Sequence, residues 1–272
     1  MPDRSNVVYL YDGTFEGLLC CVFESYAAKE LPIQIYCGEQ FAPTLYPVKL
    51  IETDLAKARR VYISLPKNIS AGAPEIIFRG FLTCHPQKEL LLLDFIRLGI
   101  QEGSRAVHML THDTVSQLYD AIRRLIQESR HLMGFIRFSV YDGKMVSVIE
   151  PKNCVLPLIC DHFVSRLPEE TFLIFDKPHK LGFFYHPGQK QGEFLSMDDI
   201  VLPSPEDQEL EYRRLWRGFF QAIGIQERLN PCCQRNHLPK RFRPRLTEFY
   251  EPETLLPAEP PHVLLKHRPP QE

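Results

Sequence analysis

The sequence predicts an α+β fold: a helical N-terminal half, a central antiparallel sheet with packed helices, and a basic C-terminal helix and loop. Three observations carry this. Segments before residue 134 repeat apolar residues at three- and four-residue steps, the helical period. Residues 135–149 (FIRFSVYDGKMVSVI) set two β-rich runs around Asp142-Gly143, a hairpin signature. Beyond residue 202 an aromatic, arginine-bearing helical pattern gives way to proline-punctuated basic sequence.

In chain order, Val7–Tyr11 (VVYLY) reads as a short strand, and Asp12-Gly13-Thr14 as a turn with capping chemistry. Phe15–Lys29 reads as an apolar helix that stops before Pro32. Arg60–Ser64 fits either a strand or the end of a helix from Asp54. Pro74–Cys84 and Gln87–Gln101 read as two helices, with Pro74 suited to a first turn. Thr114–Leu132 is the clearest helix, capped by Thr111 or Asp113, with Gly134 as a left-handed cap after it. After the hairpin, Cys154–Arg166 reads as a helix, and Thr171–Phe175 and Leu181–Tyr185 as strands, with Glu193–Leu195 as a further edge.

The last helix starts near Leu202–Asp207, where Ser204 can cap and Pro205 fits the first position. At 100° per residue Tyr212, Leu215, Trp216, Phe219, Phe220 and Ile223 share one side, expected to face the core. Arg213, Arg214, Arg217 and Arg228 fall on the other. The parts implied are 1–110 (mostly helical), 111–202 (sheet), 203–249 (basic helix and loop) and 250–272, a Pro-rich tail expected to be disordered.

Composition excludes several classes. The chain has 272 residues, 44% hydrophobic and 24% charged, as in globular proteins. Its most apolar run, Glu89–Ile100, is interrupted by Asp94 and Arg97, so no membrane span is expected. The first residues lack a signal-peptide apolar stretch, so a cytoplasmic location is expected. Eight cysteines include two vicinal pairs and no Cys-x-x-Cys, which reads as reduced, mostly buried thiols. Cys232, Cys233 and His237 are the sole clustered metal candidates, and no metal or cofactor is expected. Walker loops, dinucleotide glycine turns, His-Glu-x-x-His and Gly-x-Ser-x-Gly are absent, so no enzyme class is legible.

The charge layout is the strongest functional signal. Residues 213–245 hold eight Arg, one Lys and one acid in a chain of formal charge −2, so the remainder is near −10. A local positive field on an acidic protein attracts polyanions. Arginine binds phosphate in bidentate fashion and stacks on bases, which lysine does less well. The predicted nucleic-acid-binding residues are Arg213, Arg214, Arg217, Arg228, Asn230, Gln234, Lys240, Arg241, Arg243 and Arg245. The plain alternative is a solvated basic face. Glu128 and His131, with Arg137, form one candidate polar cluster, for which helix-end capping is the plainer reading. His162 and Arg166 with Asp176 form a second, for which an ion pair locking helix to sheet is plainer.

Taken together, YDGTFEGLLCCVFESY, ESRHLMGFIRF, HFVSR and LWRGFFQAIGIQERLNPCCQRNHLPKRFRPRLTEF resemble an uncharacterised bacterial family labelled as DNA-repair or DNA-metabolism proteins. The resemblance spans roughly residues 7–249. Members are typically encoded beside a radical-SAM protein with a helix-hairpin-helix element, and a related domain is fused to uracil-DNA-glycosylase-like proteins. The resemblance covers Asp12, Gly13, Phe15 and Glu16, then Glu128, Gly134 and Arg137, His162 and Arg166, Asp176, and Trp216, Arg228, Asn230, Gln234, Arg241 and Phe249. It assigns none of them a catalytic role. Cys233 departs from the leucine usual there, and the Pro-rich tail also departs. The resemblance implies a DNA-linked accessory protein with DNA and a radical-SAM enzyme as partners. The alternatives are a nucleic-acid-processing enzyme using Glu128, His131, His162 and Asp176, and a scaffold that binds the partner protein alone.

Overall fold

The computed structural model describes residues 4–38, 44–189, 191–200, 202, 207–225, 228 and 230–249. Ser204, Pro205 and the tail 250–272 lie outside them, so the cap and tail expectations have no structural counterpart here.

The chain opens with β1 (Ser5–Tyr11), whose side chains sit among buried Val8, Tyr9 and Tyr11. Asp12 Oδ1 accepts from the Thr14 N–H and hydroxyl, and Thr14 Oγ1 accepts from the Gly17 N–H at 2.9 Å, starting α1 (Phe15–Ala27). The helix buries Leu18, Leu19, Cys20, Cys21 and Val22. It delivers β2 (Pro32–Cys37) parallel to β1, and β3 (Val48–Leu50) pairs parallel on the other side of β1. This three-stranded parallel sheet was not read from the sequence. The N-terminal half is therefore helices around a small sheet.

Asp54 caps α2 (Leu55–Asn68) through the Ala56 and Lys57 N–H groups, which settles Arg60–Ser64 as helix. Helices α3 (Ala73–Phe81) and α4 (Lys88–Glu102) follow, as expected. The long α5 (Asp113–Phe135) joins two cores: Val115, Leu118 and Ile122 belong to the first, Leu125 and Leu132 to the second. Its N-cap is His112, without a side-chain cap bond, rather than Thr111 or Asp113. The helix runs through Gly134 to Phe135 and ends on extended Ile136, so Gly134 needs no left-handed turn.

The second sheet has five strands in the order β4-β5-β6-β7-β8: Ser139–Tyr141, Lys144–Ile149, Phe172–Asp176, Leu181–Tyr185 and Glu193–Ser196. All neighbours are antiparallel except β5 and β6, which run parallel because α6 (Leu156–Arg166) crosses between them. The expected α+β class thus holds, with one parallel step inside the sheet. The first strand is shorter than the pattern suggests, because Phe135 stays helical and packs on His131 and Phe242.

Beyond the sheet come α7 (Asp207–Ile223) and the short α8 (Pro231–His237), then 3-10 turns over Lys240–Arg245 and Thr247–Phe249. The aromatic side of α7 does not face the core. Tyr212, Leu215, Trp216, Phe219 and Ile223 are exposed, and Trp216 is 43% accessible. Periodicity tells which residues share a face, not what covers it. Here the cover is the last turn: Phe220 meets Phe249 at 5.8 Å, and Trp216 Nε1 donates to Glu248. No described helix is long and apolar enough to cross a membrane.

Candidate nucleic-acid interface

The basic segment is pinned from beneath. Phe242 and Leu246 are buried, Phe242 within the second core beside Phe135 and His131. In the 3-10 turn over Lys240–Arg245, Arg241 and Arg245 are exposed, whereas Arg243 is half-buried. Arg241 stacks over Phe242 at 4.6 Å, and Arg243 lies over Phe249 at 5.1 Å, its Nε buried without a hydrogen-bond partner.

The ten predicted contacts divide by environment. Arg214, Arg228, Gln234 and Lys240 are exposed. Asn230 spends its side-chain oxygen on capping α8, accepting from Cys233 N at 3.0 Å. Arg213 donates to Glu209 and Ser139, and Arg217 Nε donates to the Arg213 carbonyl. Arg241 pairs with Glu128 at 3.0 Å, and Arg245 with Glu150. Part of the charge that sequence reading assigned to a ligand therefore also holds the segment to the body.

A second basic surface lies alongside and was missed. A groove of about 670 Å³ runs between α3 and α5, with Tyr119, Ile122 and Ile126 beside Arg79, Arg123, Arg130 and His131; Arg79 pairs with Glu75, also in the lining, and Arg123 with Asp120. His131 ends this groove and touches Phe242, so the two surfaces meet. The signal was present: Arg123 and Arg130 lie seven residues apart on α5, two helical turns on one face. What the sequence lacked was α3 as the opposite wall.

The polar clusters do not assemble as expected. Glu128 is buried and accepts from Lys152 N, Asn153 N and Asn153 Nδ2 as well as pairing with Arg241. It ties the β5–α6 loop and the C-terminal segment to α5. His131 stacks on Phe135 instead, and Arg137 pairs with Glu248 at 3.1 Å. Burial, then the nearby Arg241 charge, lowers the pKa of His131. His162 packs edge-on to Phe163, its Nε2 buried without a partner, and Asp176 bonds neither it nor Arg166. Asp176 accepts instead from His179 Nδ1 at 2.8 Å, a residue sequence reading passed over. Among the described residues no hydrogen bond joins any two of these four candidates, although the Glu128 charge acts on both His131 and Asp176.

All eight cysteines are free; Cys20, Cys21 and Cys160 are buried, whereas Cys84, Cys232 and Cys233 are exposed. Cys232 and Cys233 on α8 do not form a metal-ligating group with His237, and among the described residues the group with metal-ligand spacing is Cys154, Asp176 and His179. Burial pushes the Cys154 thiol up to about 12 and raises the Asp176 carboxyl.

Residues 86–248 match a family described as a domain of unknown function, DUF4130. That stretch holds the second sheet, α5 and the whole basic segment. No curated protein and no solved structure matches the chain.

Proposed function

The chain belongs to the DUF4130 family of domains of unknown function, and on that premise we propose that it is a DNA-binding accessory protein of DNA repair or DNA metabolism. One observation carries this reading: the segment is anchored by Phe242 and Leu246 while Arg214, Arg228, Lys240, Arg241 and Arg245 stay exposed, beside a groove that Arg79, Arg123 and Arg130 line. Arginine on a rigid surface loses less freedom on meeting phosphate than arginine on a free coil. The aromatic and apolar residues between the charges suit base or sugar contact, as in single-strand binders. Arg214, Arg228 and Lys240 hold phosphates, while Arg241 and Arg245 position the surface through Glu128 and Glu150. In this reading the chemistry belongs to a partner, for which the family resemblance implies a radical-SAM enzyme.

The test is binding of the full chain to labelled single- and double-stranded DNA over a salt series. Binding is expected to weaken steeply with salt. Arg214→Ala/Arg228→Ala/Lys240→Ala should flatten the slope of log K against log salt by about 2–3, one phosphate per cation. Absence of binding at low salt refutes the proposal.

A second reading, docking of a protein partner alone, is favoured by the exposed apolar side of α7. It calls for a weak salt dependence and a fixed stoichiometry.

A further inference from the structure

We propose that Cys154, Asp176 and His179 form a binding site for a divalent transition-metal cation of the zinc type. The site arises from the one parallel step of the second sheet. Because β5 and β6 run the same way, with Ile149 opposite Asp176, their carboxyl ends open on one edge. Outside such ends is where ligands bind in parallel sheets. The chain leaving β5 supplies Cys154, the last residue of β6 is Asp176, and the turn into β7 supplies His179.

One ligand atom from each residue lies within 4.8 Å of the others. Ligand atoms around tetrahedral zinc sit roughly 3.5 Å apart, and His179 Nδ1 already lies 2.8 Å from Asp176 Oδ1. Asp176 is completely buried. Its Oδ1 accepts from the His179 N–H and Nδ1, which a tight turn explains. Its Oδ2 is buried without any partner, which the turn does not explain. A buried carboxylate oxygen left bare is unfavourable, and a cation satisfies it. The donor set of sulfur, imidazole nitrogen and carboxylate oxygen is borderline-soft, which selects zinc-like ions over magnesium or calcium. His179 is partly exposed, so a fourth position faces water, as in zinc sites that activate water rather than closed structural ones.

The experiment titrates Co2+ into the chelator-stripped full chain and follows the thiolate-to-cobalt charge-transfer band and the d–d bands. Cys232→Ser/Cys233→Ser removes the exposed vicinal thiols as a competing source of the signal. The expected result is a band saturating at one Co2+ per chain in the wild type and in that variant, displaced by Zn2+. Cys154→Ser is expected to abolish it. His179→Gln is expected to weaken Co2+ binding more than about 100-fold, beyond the loss from an outer-sphere change. His179 is partly exposed and glutamine keeps a donor for Asp176, so this variant is expected to stay folded, checked by circular dichroism, even where Asp176→Asn does not. The proposal is overturned if the folded wild type gives no charge-transfer band, or if the band survives Cys154→Ser. A band lost in Cys232→Ser/Cys233→Ser, or unchanged Co2+ affinity in His179→Gln, overturns it equally.

Discussion

Glu128→Ala is the sharpest probe of how the basic segment is held. Glu128 is 2% exposed and receives the backbone and amide N–H groups of Asn153, itself 5% exposed. Truncation leaves those two buried donors unsatisfied, at about 1–3 kcal/mol each. The Arg241 side chain is 40% exposed and regains water, so its share of the loss is small. The Lys152 N–H bond, at 3.0 Å, belongs to an exposed residue and adds little. The expected cost is about 3–5 kcal/mol, which lowers the unfolding midpoint by roughly 10 °C in a chain of this size. Arg241→Ala leaves Glu128 its three other donors and should cost about 1 kcal/mol. Thermal unfolding by circular dichroism reads both. A Glu128→Ala protein that melts within about 2 °C of wild type refutes the reasoning, as does an Arg241→Ala protein that loses as much as Glu128→Ala.

Trp216→Ala should change stability by less than about 1 kcal/mol, because the indole is 43% exposed and its ring and hydrogen-bond contacts are to Phe219 and Glu248; a loss of several kcal/mol in urea unfolding would mean that more than the last turn covers α7. Gly99→Ala should destabilise by about 1–3 kcal/mol, since its Cβ would lie 2.6–2.9 Å from three Ile69 side-chain carbons, and a neutral result in the same assay would show that Ile69 yields freely. The folded pKa of His131 lies below 6.5, so its contribution to stability is present above that pH and lost as pH falls through the folded value. Midpoints measured from pH 7 down to 5 should therefore fall less in His131→Gln than in wild type; equal slopes would exclude His131 as the source.

Local chemistry was legible and long-range pairing was not. The Thr14 cap, the Asp142-Gly143 turn and the helical period of α5 are contained in a few consecutive residues. The pairing of β1 with β2 and β3 depends on contacts across more than twenty residues, and three-residue β3 carries almost no pattern of its own. The same limit applies to function. The sequence identified the arginine-rich segment but could not show that Glu128, more than a hundred residues earlier, receives Arg241. It flagged Asp176, yet His179 drew no notice because an isolated histidine in a turn becomes informative once Cys154 is beside it. The α7 aromatics were misplaced for a related reason, since an amphipathic wheel does not state whether a partner surface exists.

The central claim is that DNA lies across the joined arginine surfaces, and photocrosslinking measures this most directly. The full chain would be irradiated with 5-iodouracil-labelled single-stranded DNA and the crosslinked peptides sequenced. Crosslinks are expected in 207–225, 230–249 and the α5 stretch from Tyr119 to His131, and they should disappear with Arg214→Ala/Arg228→Ala/Lys240→Ala. Crosslinks confined to the N-terminal sheet, or none under conditions where the protein is folded, would contradict it.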